Sequence, residues 1–246
     1  MGKYLKKFQN HSAYQSAKSG FILPNVSLCI AEDDVHYNPI APTPQHDFVE
    51  IGGIKWATMN IGASQPSDYG LYFAWGDTQG YTTDQVGSGS GQKAFEWADY
   101  KYSDNGSSSV MTKYNSTDGK TVLDASDDAV TAAWGGNWRM PTTAEFQALV
   151  TATTSAWTSS YEGSGVSGLV LTSKEDSSKK LFFPAAGSCS GGSVGGVGSR
   201  GSYWSSLPNP SLGVEYGMTL SFNSRLVYTA NGERKDGFPV RGVIGE

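Results

Sequence analysis

Leu181-Phe182-Phe183-Pro184-Ala185-Ala186-Gly187 opens the stretch that decides the fold. A glycine-rich run through Gly201 follows it, then Tyr203-Trp204-Ser205-Ser206, and the stretch closes on Gly237-Phe238-Pro239-Val240-Arg241 and Val243. Apolar positions alternate here with small and polar ones. Phe183, Trp204, Leu220, Phe222, Phe238 and Val240 read as buried anchors, and the residues between them as an exposed face. Loops carried on a rigid frame are where binding usually resides. The glycines could suggest a phosphate cradle, but Ser199-Arg200-Gly201 leads into Tyr203-Trp204 and not into the Gly-Lys-Ser/Thr and helix of a P-loop. A surface loop is the expectation.

Working outward, Met218-Thr219-Leu220-Ser221-Phe222 has the period of a half-buried strand. Leu169-Val170-Leu171 and Leu181-Phe182-Phe183 pair as strands around the turn at Glu175 to Ser178. Gly232 reads as a turn, and Phe238 to Val240 with Val243 closes the sheet. Two helices are legible. One runs from about Ser126 to Trp134, capped by Asp124 or Ser126 and stopped by Gly135-Gly136. The other follows Thr142, which lies three residues before Glu145 in capping-box spacing, with Phe146, Leu149 and Val150 as its buried stripe. Upstream, Phe48 to Ala57 reads as a hairpin about Gly52-Gly53, because glycine tolerates the positive φ of such turns. Tyr69 to Gly76 reads as a buried strand. The polar stretch from Thr78 to Gly119 is pinned to the core by Phe95, Trp97, Tyr100, Tyr102, Met111 and Tyr114.

The chain has 246 residues, 17% of them charged, with 31 glycines, 7 Trp and 13 Tyr, which suits short strands and long loops around aromatic cores. Its net charge of −5 and lack of a dense basic run argue against a nucleic-acid partner. Cys29 and Cys189 are the only cysteines and form no CxxC pair, so neither a zinc site nor a redox motif is expected, and both are expected as unpaired thiols. No apolar run follows the charged start Met1 to Phe8, so neither a secretory signal nor membrane insertion is expected.

A short amphipathic helix is expected over Lys3 to Lys18, with extended segments at Ile22 to Ile30 and Val35 to Pro39 and a proline-stiffened linker at Ala41 to Gln45. Residues 1–46 hold too few apolar groups for a core and form an attachment or oligomerisation segment in this reading. Residues 47–246 form the main domain.

Several blocks together resemble one family. Gly70-Leu71-Tyr72-Phe73-Ala74-Trp75-Gly76-Asp77, Trp134 to Thr142 with Glu145-Phe146, Phe183 to Gly187, Gly201 to Ser206 and Gly237 to Arg241 are similar, in this order, to C-type-lectin-like domains of the bacterial major paralogous domain group. That group includes the variable proteins of diversity-generating retroelements. The N-terminal stretch resembles the start of phage and prophage structural proteins from gut bacteria. The resemblance implies an α+β, C-type lectin-like fold, with two helices flanking small antiparallel sheets and long irregular loops. It implies a ligand-binding display protein whose C-terminal face binds a protein or glycan on a bacterial surface, carried on a virion or prophage-encoded particle. The alternative is a structural or adhesive module without a diversified site. A homo-oligomer would form through the N-terminal segment. Where relatives often carry Cys after the Pro-Val-Arg block, this chain has Gly242.

On this reading the variable, ligand-contacting face comprises Ser202, Tyr203, Leu207, Asn209, Leu212, Val214, Tyr216, Arg225, Val227 and Tyr228. Arg139 and Arg241 could grip an anion or form structural forks to backbone carbonyls. Asp127-Asp128 and Glu32-Asp33-Asp34 could be calcium ligands, yet such pairs more often sit at helix starts. Leu207-Pro208-Asn209 lacks the acidic residue of calcium-dependent sugar-binding motifs, so no metal or other cofactor is expected. Formylglycine-generating enzymes share the broad fold, but their chemistry uses a late cysteine pair. Only Cys189 is late here, and His11, His36 and His46 are all N-terminal. Catalysis is not expected.

Overall fold

A computed structural model describes residues 46–209 and 211–244. The expected N-terminal helix, the extended segments before residue 40, the linker and the Glu32-Asp33-Asp34 run lie outside these residues. The described chain is a mixed α+β unit of small antiparallel sheets with two α-helices. No helix among the described residues is long and apolar enough to cross a membrane.

The first sheet contains β1 (Phe48–Ile51), β2 (Ile54–Asn60), β3 (Trp138–Arg139) and β12 (Arg241–Ile244), in the order β1-β2-β12-β3. Gly52 and Gly53 turn the β1–β2 hairpin at φ of 62° and 76°, as the Gly-Gly pair requires. A second sheet joins β4 (Thr153–Thr158), β5 (Gly168–Ser173) and β6 (Lys180–Pro184). A third orders β11 (Val227–Glu233), β10 (Tyr216–Asn223) and β9 (Arg200–Pro208).

The glycine-rich run is not a plain surface loop. Within it, β7 (Ser188–Ser190) and β8 (Ser193–Gly195) form a short hairpin about Gly191-Gly192. Close backbone approach explains part of its glycine content, since a Cβ on Gly187 would lie 2.1 Å from the Gly195 carbonyl oxygen.

The first helix is shorter than expected. A 3₁₀ turn at Ala125–Asp127 precedes α1 (Ala129–Trp134), and the cap is Asp128, not Asp124 or Ser126. Its carboxylate accepts from the amides of Val130 and Thr131 at 2.9 Å and of Met140 at 2.8 Å, so it caps the helix and also fixes the following strand. Helix α2 (Thr143–Ala152) carries the expected capping box, with the Thr142 amide donating to Glu145 at 2.7 Å and the Glu145 amide to the Thr142 hydroxyl at 3.2 Å. Tyr69 to Gly76 does not form a strand. Tyr72 and Phe73 make only isolated bridges, to Tyr81 and Phe238. Gly232 is not a turn residue but lies within β11, and Phe238 to Val240 precedes β12 instead of belonging to a strand.

Two apolar clusters fill the unit. One gathers Trp75, Trp134, Trp138, Trp204, Phe238 and the aromatics of the long polar stretch, where Phe95, Tyr100, Tyr102, Met111 and Tyr114 are buried. The other gathers Trp56, Phe146, Leu149, Phe183, Tyr203, Leu220 and Phe222. All six expected anchors are buried. Gly242 packs against α1, where a Cβ would stand 2.4 Å from Cζ3 of Trp134 and 2.9 Å from Cγ1 of Val130.

Candidate functional site

Strand β9 lies between the two clusters, and this decides which of the proposed face residues can reach solvent. Successive side chains of a strand point to opposite faces. Trp204 enters the first cluster, where its indole donates to the Phe73 carbonyl at 2.8 Å. Tyr203 enters the second. It is fully buried, donates to the Pro184 carbonyl at 2.9 Å and accepts from the Asn60 amide nitrogen at 3.2 Å. Burial pushes its phenol up to about 12. Tyr203 is therefore a core residue and does not belong to the exposed face. Alternation predicts exposure only when one side of the strand meets water, and here both sides are packed.

The remaining residues separate into two groups at opposite ends of β10. Leu207, Asn209, Leu212, Val214 and Tyr216 sit around the β9–β10 connection. Ser202, Arg225, Val227 and Tyr228 sit around the β10–β11 turn. Six residue-to-residue steps of extended chain, from Tyr216 to Phe222, separate the ends by about 20 Å.

The first group is the more coherent. Its connection is folded on itself. The Asn209 amide donates to the Tyr216 carbonyl at 2.9 Å, the amides of Leu212 and Gly213 return to the Asn209 carbonyl at 3.3 Å, and Ser211 donates to the Asn209 side chain at 2.6 Å. The Asn209 side chain also donates to that of Asn231 on β11. Leu212 is 55% exposed, Val214 packs partly against the first cluster, and Leu207, Asn209 and Tyr216 are half-buried. The backbone bond from Leu123 to Ser206, at 2.9 Å, brings the exposed Val122 to the same end.

Arg234 supports this connection from beneath. It is fully buried. Its Nε donates to the Tyr216 carbonyl and its Nη1 to the Tyr114 carbonyl, both at 3.1 Å, and its guanidinium lies 4.6 Å from the Trp75 ring centre. Burial lowers its pKa. A planar fork bonded to Tyr216, the first residue of β10, holds that residue's backbone in place while its side chain stays half-buried.

In the second group, Ser202 bonds Ser221 at 3.2 Å, Arg225 and Tyr228 are exposed, and Val227 packs partly against the second cluster. Asn223 fastens the turn by accepting from the amides of Arg225 at 2.8 Å and Leu226 at 3.1 Å.

The charged residues weighed as anion or metal ligands are engaged internally. Arg241 is fully buried. It donates to Asn60 at 2.9 Å, to the carbonyls of Ala57 and Thr58 at 3.0 Å and to the Phe182 carbonyl at 2.9 Å. Arg139 forms a two-pronged pair with Glu145, at 2.8 and 2.6 Å. Burial would raise the Asp127 carboxyl, but Lys113 at 2.5 Å, Tyr114 at 2.6 Å and Lys101 at 3.1 Å outweigh it and hold the group well below the usual carboxylate range. Among the described residues, no group of three or more His, Cys, Asp or Glu is placed to hold a metal ion. Cys189 is fully buried, and burial pushes its thiol up to about 12.

Sequence reasoning missed Arg234, Asn231 and Leu226, which is 63% exposed. Arg234 stands in Glu233-Arg234-Lys235-Asp236, a run that reads as solvated surface. Asn223, a residue favoured at the first position of a β-turn, is a signal that could have exposed the turn. Comparison with known proteins finds no matching family model, no matching curated protein and no matching solved structure.

Proposed function

We propose that the chain is a non-catalytic, ligand-binding display protein with a C-type lectin-like fold. In this reading it is the variable protein of a diversity-generating retroelement, borne on a virion or prophage-encoded particle, and its C-terminal face binds a protein or glycan on a bacterial surface. The observation that carries the reading is the contrast at the β9–β10 connection. Leu207, Asn209, Leu212, Val214 and Tyr216 are wholly or partly open to solvent, while the backbone that presents them is cross-bonded and supported by the buried Arg234. A fixed frame with replaceable side chains suits a surface whose sequence changes while its fold does not. The five ordered blocks of family resemblance supply the rest of the support.

The test combines Leu212→Ala and Tyr216→Ala in one variant and leaves Asn209, whose side chain bonds Ser211 and Asn231, in place. Binding to host cells is expected to be lost with the melting temperature nearly unchanged, because surface substitutions usually cost within about 0.5 kcal/mol. Retained binding with an intact fold would favour a structural or adhesive module. A nearby template repeat with adenine-rich codons at these positions, beside a reverse-transcriptase gene, is the expected genomic signature.

A further inference from the structure

Strand β11 is the edge of its sheet, with α2 packed against it, and its own sequence lacks the usual blunting residues. The β10–β11 turn fixes which of its backbone groups face outward. The Asn223 amide donates to the Leu226 carbonyl at 3.0 Å, so residues 223 and 226 form a hydrogen-bonded pair. Bonded and non-bonded pairs alternate along an antiparallel ladder. With Phe222 opposite Val227 and Leu220 opposite Thr229, the amides and carbonyls of Val227, Thr229 and Asn231 point away from β10. Among the described residues, none of these groups has a hydrogen-bond partner beyond the strand.

Natural edges are normally blunted by charge, proline or a bulge. From Leu226 to Gly232 there is no Lys, Arg, Asp, Glu or Pro, and the β10–β11 register runs without a shift. Leu226 is 63% and Tyr228 48% exposed on the same stretch.

We propose that this edge pairs with the β11 edge of a second copy of the chain, antiparallel about a two-fold axis at Thr229. This inference stands independently of the ligand reading, since it uses backbone groups and not the ligand-contacting connection. The register itself is the argument for self-pairing. With Thr229 opposite its counterpart, Tyr228 faces Ala230 of the second copy and Leu226 faces Gly232. Tyr228 thereby meets a small side chain, while Leu226 approaches the Phe238 ring that fills the side-chain space of Gly232, both at the closer, non-bonded positions of the new ladder. Arg225 faces Glu233 of the second copy. Glu233 is 41% exposed at its side chain and bonded to Lys235 at 2.7 Å, so it remains within reach of another cation. Every such contact occurs twice by symmetry. Neighbouring registers lose this fit. One slip sets Arg225 against Lys235, and the opposite slip sets Tyr228 against itself. The pairing would extend β9-β10-β11 into one six-stranded sheet and place two candidate binding faces on one particle component.

The test uses the full chain. Thr229→Pro removes an outward amide without touching the β10 ladder, a position where proline is tolerated. Sedimentation at rising concentration is expected to show self-association in the parent chain, and Thr229→Pro is expected to halve the particle mass at unchanged circular dichroism. Should that variant fail to fold, Arg225→Glu and Glu233→Arg decide. Each alone is expected to weaken association about tenfold or more, and together to restore it, because a like-charge contact repeated across the axis costs at least the 1.4 kcal/mol of one decade. Amide exchange at Val227, Thr229 and Asn231 is expected to slow with concentration. A monomeric parent chain, or a mass insensitive to all of these changes, overturns the proposal. So does edge protection that appears only after bacterial surface material is added, which would assign the edge to a foreign strand.

Discussion

Replacing Arg241 by Met should be among the most damaging single changes available to this protein. The guanidinium leaves β12 and reaches four groups on two other strands at once: Asn60 and the Ala57 and Thr58 carbonyls along β2, and the Phe182 carbonyl on β6. It also stacks 4.5 Å from the Phe183 ring centre. Burial lowers its pKa to about 10, so it remains charged at neutral pH although its bonds go to neutral oxygens. Met keeps most of the stem's packing and removes every donor. Each buried acceptor left without a donor costs about 1–3 kcal/mol, and several are affected here. Relief from burying a charge offsets part of that loss, which leaves a net destabilisation of roughly 3–5 kcal/mol from the several neutral acceptors stranded at about 1–3 kcal/mol each. For a domain of this size that lowers Tm by about 6–20 °C. Arg241→Lys should lose a large part of the same amount, since one ammonium cannot span the fork. The control is Arg139→Met, which removes a partly exposed pair with Glu145 and should cost about 1 kcal/mol or less. Denaturant unfolding monitored by tryptophan fluorescence measures all three. An Arg241→Met change below about 1 kcal/mol would refute the claim that this fork joins the sheets.

Other changes probe the remaining arguments. Trp204→Ala should cost roughly 3–5 kcal/mol in denaturant melts, as for other buried large aromatics, whereas Leu212→Ala should stay within about 0.5 kcal/mol. Equal costs would mean inside and outside are misassigned. Gly242→Cys should destabilise by about 1–3 kcal/mol through overpacking against Trp134 and Val130, and a neutral result would show that α1 can move aside. Asp127 has a folded pKa held below its ordinary value of 3.8, so the stability it carries is complete above that value and is lost as pH falls through the lower one. The stability gap between the parent chain and Asp127→Asn should therefore be constant from about pH 8 to 5 and narrow progressively as pH falls below about 4 toward the lower folded value. A gap that persists in acid would mean the carboxylate charge is not what Lys113, Lys101 and Tyr114 recognise.

Much of the frame was legible because local chemistry and tertiary packing agree there. Gly52-Gly53 can only turn, Thr142 and Glu145 can cap each other, and the β5–β6 pair alternates about a polar turn. The aromatic residues from Phe95 to Tyr114 also betrayed a loop that is pinned down. What escaped the sequence depends on surroundings that no local pattern records. Tyr69 to Gly76 is apolar enough for a strand, yet its neighbours supply only isolated bridges. Asp128 outcompetes Asp124 and Ser126 as a cap because Met140, twelve residues away, contributes a third amide to its carboxylate. β4 reads Thr-Thr-Ser-Ala-Trp-Thr and has too little apolar alternation to signal a strand.

The candidate site shows the same division in sharper form. Tyr203 and Arg234 were misjudged in the same sense, one taken for exposed face and the other passed over in a run that reads as solvated surface, and both are fully buried. Each is a polar side chain whose burial is made tolerable by carbonyls that are distant in sequence: Pro184 for Tyr203, and Tyr216 and Tyr114 for Arg234. A buried polar group must find such partners or cost free energy, so its position reports where the frame is tightest. Here those positions bracket the β9–β10 connection. Tyr203 fixes β9 before the connection, and Arg234 fixes Tyr216 after it. On the proposed reading, exposed side chains of that connection such as Leu212 can then vary in chemistry with little strain on the backbone, which is the physical requirement for any surface that changes its ligand without changing its fold.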